Sequence, residues 1–184
     1  MVGNVKEYQH MERKLHSETI YDGRVLKLIR DDVELDDGTK SIREVVIHHG
    51  GACIALKNKH NKFYMVRQYR YSLSMEMLEF CAGKLNEGEN PTEAIIREAQ
   101  EELGVTVKNL KSYGYVVPTC GYSSEKIYLF YGEEDEQVGQ HFDEDERLEV
   151  EEYSFEELLK MIETGELVDG KTICLLQRMM MEMR

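Results

Sequence analysis

Three glutamates, Glu98, Glu101 and Glu102, crowd the second half of what reads as a surface helix. Asn90-Pro91-Thr92-Glu93 supplies its start: an N-cap, a proline at the first helical position and an acid in the first turn. Gly104 supplies its stop. A helix dipole disfavours negative charge towards its C-terminal end. Glu98 and Glu102 are also a like-charged i, i+4 pair, which costs roughly a few tenths of a kcal/mol in an isolated helix. Carboxylates held together against their own repulsion suit a hard cation such as Mg²⁺, which takes oxygen ligands and usually keeps water and substrate phosphates. At about 100° per residue, Ile95, Ile96, Ala99 and Leu103 share one arc and the three glutamates the next. The acids therefore lie at the margin of the buried face. The plain alternative is a solvated charged face, the commoner fate of glutamates on a helix.

The elements that must position this helix are legible from pattern. Residues 1–13 read as an unstructured tail, residues 14–48 as an N-terminal strand region, and residues 49–184 as the main domain. The N-terminal strands are "KLHSETIYDG", "RVLKLIRDDVELDDG" and "TKSIREVVIHHG", with Asp36-Asp37-Gly38 as a hairpin signal. "ACIALK" and "FYMVRQ" are apolar strands around the turn "NKHNK", and "LEFCAG" is a short strand entering Gly83. "VKNLKSYGYVV" and "KIYLFYGE" follow the acidic helix, separated by "PTCGYSSE". "SFEELLKMIETGE" is an amphipathic helix in which Ser154 and Glu157 form a capping box, and a last helix starts near Asp169. The order predicts an α+β protein, a mixed sheet between helices in α/β/α layers, with an antiparallel N-terminal strand region.

Bulk properties narrow the function. The 184 residues carry a net charge of −13, so a nucleic-acid partner is not expected. An acidic protein acting on an anionic substrate needs a cation between them. No apolar run approaches the ~20 residues of a membrane span, and the N-terminus has no secretory pattern, so a cytoplasmic protein without membrane attachment is expected. Cys53, Cys81, Cys120 and Cys174 form no CxxC pair and read as free thiols.

The helix sits inside a longer pattern. Gly83, Glu89, Arg97, Glu98, Ala99, Glu101, Glu102, Gly104 and Val105 fill, without a gap, the box of the Nudix hydrolases. That box runs Gly, five residues, Glu, seven residues, Arg-Glu, aliphatic, any, Glu-Glu, any, Gly, aliphatic. The sequence resembles that family, and the resemblance implies the Nudix fold and cleavage of a nucleoside diphosphate linked to another group. It also implies that Glu98 and Glu102 are principal metal ligands, that Glu101 shares the site, and that the Ala82 carbonyl is a further ligand. Arg97 would orient these carboxylates. Glu89 is structural in some members and metal-linked in others.

Further stretches, "YDGRVLKLIRDDVELDDGTKSIREVVIHHGGA", "VRQYR", "LEFCAGKL" and "DEDERLEV", are similar to ADP-ribose pyrophosphatases and related nucleotide-sugar hydrolases. This resemblance implies Arg43, Arg70 and Glu79 as substrate contacts, and a water-activating base from the acidic loop, Glu146 first and Glu144 second. It implies Mg²⁺ as cofactor, with Mn²⁺ as a substitute, and a homodimer built through the N-terminal strands. Two departures bear on the substrate: Cys120 stands where the group has a Ser-Pro-Gly proline, and Cys81 replaces a proline often found before Ala-Gly. ADP-ribose, giving AMP and ribose 5-phosphate, is the expected substrate; GDP-mannose is the alternative. A nucleotide-binding sensor without turnover is disfavoured, because such modules usually lose box glutamates.

Overall fold

A computed structural model describes residues 11–141 and 147–182 of the chain. The chain divides into two compact units: Met1–His48 with Thr119–Glu125, and His49–Pro118 with Lys126–Arg184.

In the first unit, β1 (Arg13–Asp22), β2 (Lys27–Glu34) and β3 (Lys40–Ile47) form an antiparallel sheet in that order. The Asp36-Asp37-Gly38 turn closes the β2–β3 hairpin as expected. Gly38 adopts φ 85°, and the Thr39 N–H donates to Asp37 Oδ1 at 2.8 Å. The turn carrying Cys120 also belongs here: Val46 N–H donates to the Tyr122 carbonyl at 2.7 Å, and Ser124 N–H to that of Val46 at 2.9 Å. All of β1 is exposed, and Leu15, Ile20, Tyr21, Ile42 and Ile47 present apolar side chains to solvent.

The second unit is built around β4 (Gly51–Lys57), which is apolar almost throughout because both its faces are covered. Ala52, Ile54 and Leu56 pack with Ala94, Ile95, Ala99 and Leu103 of α1 (Pro91–Leu103). Cys53 and Ala55 pack with Leu158 of α2 (Phe155–Thr164) and with Leu175, Leu176 and Met179 of α3 (Gly170–Glu182). Each fully buried Leu or Ile contributes about 1.5–3 kcal/mol. This is the expected α/β/α layering. Within α1, Ile96 is only partly buried and Ala94 takes the core place expected for it.

The sheet is mixed. Its main order is β10 (Leu148–Tyr153), β5 (Phe63–Arg70), β4, β9 (Ile127–Gln137) and β8 (Val105–Val116), with β4 and β9 parallel. The single strand expected over residues 78–83 is two strands. β6 (Met75–Glu79) pairs with β5, and β7 (Cys81–Lys84) pairs with β4. The reason is that β4 and β5 pair only at Lys57 and Phe63, so the chain changes ladders at Phe80. The end of "DEDERLEV", expected as loop, enters β10: Leu148 and Val150 alternate with Glu149 and Glu151 and pack against the α1-side core. Among the described residues, no helix is long and apolar enough to cross a membrane.

Candidate metal and substrate site

α1 is held at both ends by local chemistry. Asn90 Oδ1 accepts from Thr92 N–H at 2.8 Å with Pro91 at the first turn, and Gly104 caps the other end at φ 69°, a left-handed conformation that favours glycine. The helix lies against β7, and the approach leaves no room for a side chain at Gly83. A Cβ there would stand 1.9 Å from the Glu98 carboxyl carbon. Glu98 thus occupies the space beside the strand that carries Ala82. Glu98 is 8% exposed and Glu102 only 3%. Two carboxylates four residues apart, both withdrawn from water, are costly without a compensating charge.

Arg97 supplies part of that charge. Its Nη1 lies 2.9 Å from Glu98 Oε1 and 2.7 Å from Glu101 Oε2, and its Nε lies 3.3 Å from Glu89 Oε1. Partial burial works against the guanidinium's charge, but Glu98, Glu89 and Glu101 outweigh it and raise its pKa further. Glu89 Oε2 accepts from the Asn86 N–H at 2.8 Å and from Nδ2 at 3.0 Å. The Asn86 N–H, with Arg97, holds the Glu89 carboxyl below the usual carboxylate range. Glu101 shares the Arg97 Nη1 with Glu98, and its side chain is the more exposed of the two, 37% against 10%. Among the described residues, no three acidic, histidine or cysteine side chains already surround one point. The donor set is nevertheless all hard oxygen, two buried carboxylates beside a glycine-lined strand, and it fits a Mg²⁺-like ion completed by water and phosphate.

A second ionic cluster lies at the end of β6. Glu79 is 1% exposed. Leu78 and Phe80 on either side of it belong to the α2/α3 core. Arg70 grips Glu79 in a bidentate pair, Nε to Oε1 and Nη2 to Oε2, both at 2.6 Å. Lys171 donates to Glu79 Oε2 and lies 3.0 Å from Asp169 Oδ1. Burial works to raise the Glu79 pKa, but Arg70 and Lys171 together hold it below the usual carboxylate range. Both Glu79 oxygens are engaged. Lys171, Asp169 and Thr172 join this cluster without any motif in the sequence that marks them. A signal was available: a lysine in a helix's first turn stands against the dipole, as the glutamates do at the end of α1.

Arg43 lies in the N-terminal unit, where it meets Glu12 at 2.5 Å and 2.8 Å and donates to Ser41 Oγ at 3.0 Å. Glu144 and Glu146 lie outside the described residues.

The box in register and the layered mixed sheet agree with comparison to known proteins. The NUDIX domain model matches residues 47–176, so the chain belongs to the Nudix hydrolase family, whose members are generally divalent-metal dependent. Residues 12–46 match the nucleoside diphosphate sugar hydrolase N-terminal domain. An ADP-ribose pyrophosphatase of Bacillus subtilis (strain 168) is 36% identical, the match covering 90% of this chain and 91% of the relative. A methanol dehydrogenase activator of Bacillus methanolicus is 34% identical over 93% of this chain and 94% of its own. A GDP-mannose pyrophosphatase of Yersinia pestis (strain Pestoides F) is 35% identical over 79% of each chain. A solved structure titled as an ADP compounds hydrolase has the same fold, with TM-score 0.79, 19% identity and 91% coverage of both chains.

Proposed function

We propose that the chain is a Mg²⁺-dependent pyrophosphatase that hydrolyses the diphosphate of ADP-ribose to AMP and ribose 5-phosphate, with Mn²⁺ able to substitute. The observation that carries this reading is the burial of Glu98 and Glu102 on the strand side of α1, with Glu98 filling the space beside Gly83. Glu98, Glu102 and the Ala82 carbonyl would hold the ion, with Glu101 sharing the site. Bound there, a divalent cation neutralises phosphoryl oxygens and acidifies water. Arg97 keeps the carboxylates in place and limits their repulsion. Glu146, with Glu144 as second choice, takes the proton of the attacking water. Arg70, whose guanidinium stays partly exposed beside Glu79, and Arg43 of the N-terminal unit contact the substrate's anionic groups. Glu79 meets a sugar hydroxyl or acts by fixing Arg70.

The Bacillus subtilis relative favours ADP-ribose. The Yersinia relative favours GDP-mannose as the second reading, and Cys120 in place of the group's proline argues for a smaller preference between the two. Steady-state kinetics with both substrates discriminates them. Polar groups left unpaired by the wrong ligand are worth up to ~10⁴-fold when buried. A higher kcat/KM for ADP-ribose is expected, with the difference in kcat as well as KM; a higher value for GDP-mannose reverses the assignment.

The assembly we propose is a homodimer. β1 is an exposed edge strand, and its sheet leaves Leu15, Ile20, Tyr21, Ile42 and Ile47 uncovered.

A further inference from the structure

Phe80 lies where the chain leaves one ladder for another. β6 ends on β5 at Glu79 and β7 begins on β4 at Cys81, so neither ladder receives the Phe80 N–H. Phe80 is buried, and a buried N–H without an acceptor destabilises the fold. The acceptor comes from α3. Thr172, fully buried, takes the Phe80 N–H on its hydroxyl oxygen at 2.9 Å and gives its own proton to Asp169 Oδ2 at 2.6 Å. The same Asp169 oxygen accepts from the Thr172 N–H at 3.0 Å, capping α3. Asp169 Oδ1 faces Lys171 at 3.0 Å, and Lys171 donates to Glu79. The contacts close a ring, Glu79 to Lys171 to Asp169 to Thr172 to Phe80, completed by the peptide bond between Phe80 and Glu79.

We propose that Thr172 and Lys171 are positioning residues for the metal site. The ring pins the chain at the ladder change, two residues before Ala82, and so sets where the Ala82 carbonyl stands relative to Glu98. Nothing else in α3 reaches this part of β6 and β7 by a side-chain hydrogen bond among the described residues, apart from Lys171 itself. The inference rests on the proposed role of Ala82, Glu98 and Glu102. It differs from a simple staple between α3 and the sheet. A staple affects how readily the protein unfolds, whereas a positioning contact changes metal affinity in protein that is fully folded.

The test is Mn²⁺ binding to the full chain, counted from the free-ion electron paramagnetic resonance signal, with circular dichroism confirming the fold. Thr172→Val keeps the shape and removes both hydroxyl contacts; Thr172→Ser keeps both. Groups that fix the position of a metal ligand are typically worth roughly ten- to hundredfold in metal affinity. Thr172→Val is expected to weaken Mn²⁺ binding by that factor, to raise the metal concentration for half-maximal activity in step, and to leave kcat at saturating metal much less affected. Thr172→Ser is expected to restore the parent's affinity. Glu102→Gln is the reference and is expected to lose binding outright. If Thr172→Val is folded and binds as the parent does while Glu102→Gln does not, the ring is only a staple and the inference is overturned. If Glu102→Gln also binds as the parent does, the metal-site reading falls and takes this inference with it. Should Thr172→Val not fold, Asp169→Asn, which keeps the cap oxygen but drops the charge facing Lys171, is read in the same way.

Discussion

Glu79 shows how one buried charge acquires a fixed partner set. Its carboxylate is almost wholly removed from water, and only because Arg70 and Lys171 both reach it does it remain ionised. Removing one partner of such a pair typically costs about 3–5 kcal/mol, because the charge left behind stays buried. The pH dependence has a definite sign. Folding depresses the Glu79 pKa from its ordinary value of 4.5, so the stabilisation is present above that value and is lost as pH falls through the folded pKa. Lys171 is shifted the other way, above its ordinary 10.5, because Asp169 and Glu79 outweigh the effect of burial. Its contribution is present below 10.5 and is lost as pH rises through the folded value. The difference in urea midpoint between the parent and Glu79→Gln is therefore expected to stay flat from about pH 6 to 9 and to shrink on acidification below 4.5. A difference that persists unchanged into acid would rule out the charged form of Glu79 as the source of the stability.

Packing between α1 and β7 is what turns a set of acids into a site. The two elements meet so closely that Gly83 has no space for a methyl group, and the atom in the way is the carboxyl end of Glu98. Because that end is flexible, Gly83→Ala can be accommodated by swinging Glu98 aside, with little strain in the backbone. The expected outcome is a protein whose thermal midpoint stays near the parent's while Mn²⁺ affinity falls roughly ten- to hundredfold. A large drop in midpoint with metal affinity intact would mean that the close approach serves packing alone. Gly104 presents a different case. Its φ of 69° and its N–H bond to Gln100 O at 3.1 Å end the helix, and a Cβ there would meet the backbone of Gly139 at 2.8 Å. Substitution at Gly104 therefore strains the fold as well.

At the scale of the whole molecule, the N-terminal unit bears on assembly. Its three strands form a sheet with long exposed stretches and several uncovered apolar side chains, and an exposed edge strand beside apolar surface favours association. A second copy of the chain is the occupant proposed for it. Sedimentation of the full-length protein is expected to give a homodimer. Deleting residues 1–48 is expected to abolish both the dimer and activity, since Arg43 goes with the deleted segment. An active full-length monomer would contradict this assembly.

How much was legible from the chain depended on the range of the interactions. The limits of α1 follow from Asn90, Pro91 and Gly104, and the start of α2 from Ser154 and Glu157, because caps act within one turn of their own residue. The box is equally local: its glutamates recur at helical spacing, so their common side of α1 could be read directly, as could membership of the family. The layered mixed sheet followed from the order and apolar character of the segments. The break at Phe80 could not be read, because it depends on β4 and β5 parting and on which ladder each half of the segment joins. The bridge that Arg97 makes between Glu89, Glu98 and Glu101 depends on where its guanidinium settles between three carboxylates. The pairing of the Cys120 turn with β3, and of Glu79 with Lys171, joins residues far apart in the chain. No periodicity or cap encodes such contacts; they exist only once sheet and helices have packed, when a buried N–H or charge must find whatever partner the fold has brought beside it.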